Sequence, residues 1–542
     1  MVDSVAGLTR HVNGEFQPSL ISALRLRNNS SIASRSKYMF TQNASIDALP
    51  PASATSPRRT LSIEFHQTVP AAVRHRMTYA FRMFAAIYGH LVVDTRRRTV
   101  DCLFTYGDPQ GQGRADDVIP IPAIYHCKSS DQQPVVVAAP MLAEYAGETI
   151  PVFFGTDPET GNPDWLGEIF LWLSGELEQN AKQRDAVGRV PFSETPFGKH
   201  GLSPRRPHAA HLMAWLESVL RQSRVSTLPK APSPLLGAEH ILLPSHDIDF
   251  HFDGRRSAFV RLTKNLAIAA GVYKNSTDFS DNLKKIPRLL AGERPGDYLL
   301  PLVDALQSAG FQSTLFPVVR QGHRRDPNYS LESIAPNLSK AVASGLSLGL
   351  HGSYQSVMED RSLASEAATL GERMGKWPRA NRQHWLRFES QQALFREVAS
   401  AGMLADSSLG FPQSVGFRNG ANFAFPPYDF ARECPHRFLE IPLVLMDGGL
   451  EAEARNLRHD AHGIAEEILK ASSRIGWGGI SILWHNPMEA LSVPREINEV
   501  FWRLAAKRCA SNEAWLSFDQ FLSAVTSRYQ EAGLMEGISV NA

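Results

Sequence analysis

The chain has 542 residues, of which 43% are hydrophobic and 20% charged, and its net charge is +1. This length predicts two or three domains. The balanced charge gives no electrostatic reason to expect a nucleic-acid or membrane-surface partner, and no apolar run approaches the roughly 20 residues of a transmembrane helix. Four cysteines without a CxxC spacing predict thiols in a reducing compartment, so we expect a cytoplasmic protein; they are Cys102, Cys127, Cys434 and Cys509.

Residues 1–60 differ in composition from the rest of the chain. Their second half is rich in Ser, Ala, Asn and Arg and nearly free of acidic residues. We predict a disordered leader, or a start codon assigned too early with Met39 nearer the true start. A targeting peptide is the alternative, because transit peptides share this composition.

Residues 61–231 are predicted to form a smaller α+β domain of unknown function. Apolar residues recur at helical spacing in 74–93 and 165–183, and 149–155 reads as a short buried strand. A last helix carries His208 and His211 at positions i and i+3, which could bind a metal as a pair. No third ligand lies nearby in the sequence, so we expect a solvated helix face there. Three prolines then predict a linker and a boundary near residue 232.

Strands and helices alternate from residue 238 to about 530. The predicted strands lie within 239–250, 311–319, 346–354, 437–447 and 479–486, and helical patterns stand between them. Repeated β-then-α units predict a parallel sheet or barrel with helices outside. In such folds, functional residues gather at the carboxyl ends of the strands.

Strand after predicted strand ends in a residue capable of chemistry. The first ends in Asp247 and Asp249, and later ones end in His351, Asp447 and His485. If these strands lie parallel, we expect the five side chains to lie close together at the carboxyl-terminal edge of the sheet or barrel.

The two aspartates of "SHDID" are two residues apart and therefore point to the same face of a strand. Two such carboxylates repel unless a cation or proton lies between them. One carboxylate with two imidazoles is also a common zinc ligand set that leaves a position open for water. For the aspartate pair alone, capping of the next helix or pairing with Arg255 and Arg256 is the favoured interpretation. The histidines at other strand ends favour a metal site instead.

Taken together, these motifs resemble the polysaccharide deacetylases, the NodB-homology fold of carbohydrate esterase family 4. The resemblance covers about 240–530. Within this family, the chain is similar to a divergent branch whose first motif reads "HDVD". The motifs that carry it are "SHDID", "LGLHGSY", "NRQHWLRF", "DSSLGFPQSVGFRNG", "EIPLVLMD" and "LWHN". The region around 61–230 resembles the uncharacterised domain that precedes the catalytic domain in that branch. The resemblance implies a distorted (β/α) barrel of the NodB-homology type, an α/β fold, over residues 238–530.

The resemblance also implies a metal site. Asp249 and His351 correspond to metal ligands of the family. The family has a second histidine four residues after the first, but this chain has Gln355 there. We expect His384 of "NRQHWLRF" to replace it; a packing histidine is the alternative, which would leave the site poor in metal or dependent on Gln355.

Four catalytic roles follow from the same resemblance. Asp247 corresponds to the general base, and Arg418 of "GFRNG" to the arginine that orients it. A loop-fixing arginine is the alternative for Arg418. Asp447 corresponds to the aspartate that holds the last histidine, and His485 to that histidine, the general acid for the departing amine.

The implied activity is metal-dependent removal of N-acetyl groups from an amino-sugar-containing carbohydrate, a polysaccharide or its precursor. The expected cofactor is a divalent ion, zinc first, with cobalt or nickel as alternatives, and no organic cofactor is needed. Two other functions stay open: a hydrolase of the same fold acting on another amide or ester, and a carbohydrate-binding protein with a degraded site. The missing second histidine favours the last of these, whereas Asp247, Arg418 and His485 argue against it.

Overall fold

The computed structural model describes most of the chain beyond residue 57. The described residues are 58–93, 100–107, 118–125, 139–221, 227–235, 237–249, 251, 255–271, 276–292, 299–327, 329–359, 362–457, 460–485, 487 and 495–535. They lie in one compact unit that spans 44–542. The leader that we predict over 1–60 therefore falls outside the described residues, apart from 58–60, and so does Cys127.

The first part of the described chain combines a parallel sheet with five helices. Its elements are β1 (Thr60–Phe65), α1 (Ala71–Tyr88), β2 (Leu91–Val92), β3 (Cys102–Tyr106), β4 (Val118–Ile121), β5 (Met141–Tyr145), β6 (Glu148–Val152), α2 (Trp165–Leu173), α3 (Glu176–Gln179), α4 (Pro196–His200) and α5 (His208–Leu220). The strands pair in the order β2-β1-β3-β4, and all three pairings are parallel. Only β5 and β6 form an antiparallel hairpin within the described residues of this part.

This arrangement corrects the α+β class that we predict for residues 61–231. Parallel neighbours need a crossover rather than a tight turn, and α1 supplies the crossover between β1 and β2. The predicted helix over 165–183 is two helices, because Gly175 adopts a left-handed backbone (φ 71°) between α2 and α3.

The second part alternates strands with helices over most of its length. Its elements are β7 (His240–Ile248), α6 (Arg255–Gly271), α7 (Ser276–Leu290), α8 (Leu299–Ala309), β8 (Thr314–Pro317), α9 (Leu331–Ala343), β9 (Ser347–Leu348), β10 (Leu350–Gly352), α10 (Ser362–Met374), β11 (Ala380–Gln383), α11 (Gln391–Ser400), β12 (Ala405–Asp406), β13 (Tyr428–Asp429), β14 (Cys434–Pro435), β15 (Leu439–Glu440), β16 (Leu443–Met446), α12 (Asp447–Leu457), α13 (Ala461–Ile475), β17 (Trp477–Leu483), α14 (Arg495–Ser511), β18 (Glu513–Trp515) and α15 (Phe518–Glu531). The structure is thus a mixed α/β protein with parallel sheets, as the alternating pattern predicts.

Two parallel sheets of this part join into a circuit. One has the order β16-β17-β7-β8-β9 and the other β10-β11-β12-β15. A parallel bridge from Val318 to His351 joins them on one side. On the other side, residues 439–446 form hydrogen bonds to both sheets. The Ile441 N–H donates to the Asp406 carbonyl, and the Ser481 N–H donates to the Pro442 carbonyl. The strand pairings therefore close on themselves as in a barrel.

The circuit is irregular at two places. Gly349 interrupts the run between β9 and β10, where a Cβ would lie 2.3 Å from the Phe316 ring. Between β12 and β15 the chain forms the small β13–β14 hairpin and no helix. The circuit therefore departs from a regular alternation of strands and helices at these two places.

One hydrophobic core contains side chains of both parts of the chain. The ring of Phe170 on α2, for example, lies 4.9 Å from the ring of Tyr428 on β13. Tyr79 of α1 also donates a hydrogen bond to the Pro426 carbonyl. The domain boundary near residue 232 stays a prediction. Among the described residues, no helix has both the length and the apolar character needed to cross a bilayer.

Candidate active site

Three predicted ligands meet at the carboxyl ends of parallel strands. Asp249 directly follows β7, His351 lies in β10, and His384 directly follows β11. Asp249 Oδ1 is 3.3 Å from His351 Nε2 and 3.7 Å from His384 Nε2. One ligand atom from each residue lies within 4.8 Å of the other two, so this carboxylate and these two imidazoles could hold a metal ion.

The hydrogen bonds of His351 and Asp249 fit a metal ion. His351 Nδ1 lies 2.8 Å from the carbonyl oxygen of Arg382. A carbonyl only accepts hydrogen bonds, so Nδ1 carries the proton and Nε2 keeps its lone pair facing the cluster. Asp249 Oδ1 is buried and has no hydrogen-bond partner among the described residues. Both free ligand atoms thus point to the place where a cation would lie.

His384 has a second carboxylate behind it. Its Nδ1 lies 3.5 Å from Asp326 Oδ1, on the side of the ring away from Asp249. Burial alone would lower the pKa of His384, but the two carboxylates outweigh it and raise the pKa to about 9. Burial would likewise raise the pKa of Asp249, yet the positive charge of His384 outweighs it and holds the pKa well below its usual value. The site is therefore built for positive charge, which a divalent ion supplies in place of the proton.

Asp247 lies beside the cluster and is held by a fully buried arginine. Its Oδ1 accepts a hydrogen bond of 2.9 Å from Arg382 Nη1, and its Oδ2 is 3.6 Å from His351 Nε2. Arg382 of β11 also donates to three serines: Ser245 of β7, Ser481 of β17 and Ser407, which directly follows β12. Because it binds Asp247 through its side chain and His351 through its carbonyl, Arg382 sets the position of both residues.

The arginine beside Asp247 is therefore not Arg418, the residue that we predict for this role. Arg418 donates to Glu178 of α3 at 2.8 Å and to the Gly410 carbonyl at 2.9 Å. The pair with Glu178 is buried, with 3% and 6% of the two side chains exposed. The guanidinium of Arg418 is thus paired with a carboxylate from the first part of the chain, not with Asp247.

His485 and Asp447 form a hydrogen-bonded pair next to the cluster. Asp447 Oδ1 accepts from His485 Nδ1 at 2.8 Å, and Oδ2 accepts from the His485 backbone N–H at 2.9 Å. Burial would lower the pKa of His485, but the negative charge of Asp447 outweighs it and raises the pKa to about 10. His485 Nε2 faces the cluster, 3.6 Å from Asp249 Oδ2.

His208 and His211 lie far from solvent, contrary to the solvated face that we predict for them. Only 3% and 2% of these residues are exposed, because α5 packs against α2 and α13 in the core. The ring of His208 lies 5.2 Å from that of Trp172. Burial lowers the pKa of His208 to about 4 and that of His211 to about 3, so both are neutral packing residues.

Two residues of the site were not singled out from the sequence. Arg382 stands inside "NRQHWLRF", but β11 is polar and lacks the apolar pattern of a strand. Asp326 lies in a loop without a recognisable motif. The position of Arg382 two residues before His384 was the available signal, because alternate residues of a strand share a face.

Comparisons with known proteins give limited similarity. No family model and no curated protein sequence matches the chain. A point mutant of peptidoglycan deacetylase PdaC from Bacillus subtilis matches with 9% identity and a TM-score of 0.26, over 56% of this chain and 99% of that chain. The catalytic domain of a peptidoglycan N-acetylglucosamine deacetylase from Eubacterium rectale ATCC 33656 matches with 9% identity and a TM-score of 0.27, over 53% of this chain and 92% of that chain. IcaB from Ammonifex degensii matches with 16% identity and a TM-score of 0.19, over 32% of this chain and 85% of that chain. At these scores, none of the three likenesses decides the fold or the activity of this chain.

Proposed function

We propose that this protein is a metal-dependent hydrolase that removes N-acetyl groups from an amino-sugar-containing carbohydrate, either a polysaccharide or its precursor. The observation that carries the proposal is that two groups suited to proton transfer each lie close to a different candidate metal ligand. Asp247 Oδ2 lies 3.6 Å from His351 Nε2, and His485 Nε2 lies 3.6 Å from Asp249 Oδ2. Amide hydrolysis needs one base and one acid in this relation to the reacting carbonyl.

Asp247 is suited to act as the base. A divalent ion bound by Asp249, His351 and His384 would polarise the acyl carbonyl and make a bound water more acidic. Arg382 occupies one oxygen of Asp247 and leaves the other facing the ligands. That second oxygen accepts the proton of the attacking water as the water oxygen bonds to the acyl carbon.

His485 is suited to act as the acid. With a pKa raised to about 10, its ring carries two protons at neutral pH. The Nδ1 proton is held by Asp447, and the Nε2 proton faces the site. His485 gives that proton to the amine nitrogen as the carbon–nitrogen bond breaks, so the products are acetate and a free amino group.

An exposed aromatic ring beside the ligands supports a sugar substrate. Trp385 directly follows His384 and has 42% of its surface exposed. Its backbone is left-handed (φ 64°), a conformation that is rare for a tryptophan and concentrates at functional sites. Arg325 lies 5.0 Å from the ring centroid and Arg189 donates to the Trp385 carbonyl, which fixes the ring in place. Such a platform suits the apolar face of a pyranose.

The test is acetate release from N-acetylated amino-sugar oligomers and polymers by metal-reconstituted protein. Wild type should release acetate and expose free amines. Asp247→Asn should keep the metal and its fold but lose a factor of about 10² to 10⁴ in turnover, the range for loss of a general base. Equal activity of wild type and Asp247→Asn would contradict the proposal, and so would hydrolysis confined to O-acetylated sugars.

A further inference from the structure

A helical hairpin follows the candidate metal ligand Asp249 in the chain. It consists of α6 and α7, residues 255–290, and begins six residues after Asp249. The two helices pack on each other through a small apolar cluster of their own, separate from the main core. The members of that cluster are Leu262, Leu266, Ile286 and Leu289.

The hairpin exposes an unusual share of large apolar side chains. Twelve large hydrophobic residues are exposed among the described residues, and five of them belong to this hairpin. The exposed fractions are 47% for Phe259, 61% for Val260, 36% for Phe279, 43% for Leu283 and 71% for Leu290. The three on α7 follow the spacing i, i+4, i+11 and therefore lie within about 40° of one another around the helix. Side chains so grouped on one helix face mark an interaction surface.

The same hairpin concentrates positive charge. Residues 255–290 contain eight Lys or Arg and two Asp, a net charge of +6, whereas the whole chain carries +1. The overall balance, which gave no reason to expect a membrane-surface partner, therefore hides a local excess. Lys264 and Lys284 are exposed on the two helices.

Charge decides between the occupants that could cover this surface. A second copy would bring its own +6 against the first and be repelled. The leader, residues 1–57, has five Lys or Arg against three Asp or Glu and is positive as well. An anionic lipid surface meets both features, since interfacial helices combine apolar residues with Lys and Arg and are attracted to acidic lipids.

We propose that the α6–α7 hairpin docks the protein on anionic phospholipid surfaces. The apolar side chains enter the boundary between headgroups and acyl chains, and the basic residues lie against the phosphates. Because the hairpin follows Asp249 so closely, docking would hold the candidate site at the membrane interface. If the proposed function is correct, the carbohydrate substrate is then one carried on a lipid or held close to the bilayer; the docking itself does not depend on that function.

The test is co-sedimentation of the full chain with vesicles. Wild type should bind vesicles of phosphatidylcholine containing about one quarter phosphatidylglycerol, bind pure phosphatidylcholine weakly, and lose binding at high salt. Leu283→Gln combined with Leu290→Gln should weaken partitioning by about tenfold or more. Lys264→Glu should weaken binding to the anionic vesicles alone.

Matched controls are available at Leu142 and Leu457, which are 58% and 46% exposed outside the hairpin. Their double substitution by Gln should leave vesicle binding unchanged, and circular dichroism should show all variants folded. Equal binding of neutral and anionic vesicles, or equal effects of the hairpin and control variants, would overturn the proposal. Concentration-dependent dimers that the hairpin variant abolishes, without lipid binding by wild type, would assign the surface to a second copy. Vesicle binding without acetate release would leave docking intact and refute the enzymatic function alone.

Discussion

At the scale of single residues, Arg382 organises the candidate site. Its fully buried guanidinium binds Asp247, and its carbonyl fixes the ring of His351. Five donors in a rigid fork suit it to bridge one carboxylate and several hydroxyl groups. A lysine has the charge but neither the reach nor the geometry to make these contacts together.

Comparison of two conservative substitutions tests this assignment. Arg382→Lys should lower kcat by about 10² while metal content stays near wild type, because a misplaced base costs that much even when chemistry is otherwise intact. Arg418→Lys should lower stability through its pair with Glu178 and leave the kcat of folded protein unchanged. Steady-state kinetics and thermal melts of both variants provide the readout. A kcat loss in Arg418→Lys alone would restore the role predicted from the sequence.

The pH profile of the reaction tests the pair of Asp447 and His485. We propose His485 as the proton donor, so we expect kcat/KM to hold below its raised pKa and to fall as pH rises through it. Asp447→Asn removes the negative charge that raises this pKa, so the alkaline limb should move down by about one to three pH units. An alkaline limb that stays in place in Asp447→Asn would show that another group is the acid.

At the scale of elements, β11 shows where sequence patterns succeed and fail. β7 and β17 are largely apolar strands followed within two residues by Asp249 and His485, so both the strands and these two residues were predictable. β11 reads Ala-Asn-Arg-Gln, yet all four residues are buried. Its polar side chains bond to residues elsewhere in the chain, as in the bonds from Asn381 to Asp406 and from Arg382 to Ser245. Local pattern carries no sign of partners that lie this far along the chain, so the strand and the role of Arg382 escaped prediction.

A substitution at Gly349, between β9 and β10, tests the packing of these elements. Gly349→Ala would bring a Cβ to 2.3 Å from the Phe316 ring and 3.0 Å from the Ala380 carbonyl, so a strand or a core ring must move. We expect a loss of about 1 to 3 kcal/mol in the free energy of unfolding. Gly463→Ala in α13 meets only an Asp460 oxygen at 3.6 Å and should leave stability unchanged or raised. Denaturant midpoints of the two variants give the comparison, and equal midpoints would contradict the close packing at Gly349.

At the scale of the whole molecule, one buried and one partly buried ion pair join the first part of the chain to the second. Glu178 binds Arg418, and Arg76 of α1 binds Glu433 at 2.7 Å. These contacts were not predictable, because the sequence shows a proline-rich connection but not what packs across it. They explain why Arg418, which stands in a motif of the barrel, serves the junction with the first part.

Removal of one partner tests the junction. Glu178→Gln leaves the Arg418 charge buried and unpaired, which should cost about 3 to 5 kcal/mol in urea unfolding. Glu178→Gln combined with Arg418→Met should cost less than the sum of the single changes. Glu239→Gln, which breaks an exposed pair with Lys230, should leave the midpoint unchanged. Additive losses in the double variant would mean that the two side chains do not stabilise each other.

The metal content of purified, reconstituted protein tests the central claim most directly. Wild type should hold about one zinc, cobalt or nickel ion per chain, the occupancy of a single site with three protein ligands. His384→Ala should lose that ion while keeping its fold by circular dichroism. Wild type that binds no divalent ion after reconstitution, or His384→Ala that binds it as tightly as wild type, would contradict the assignment of Asp249, His351 and His384 as a metal site.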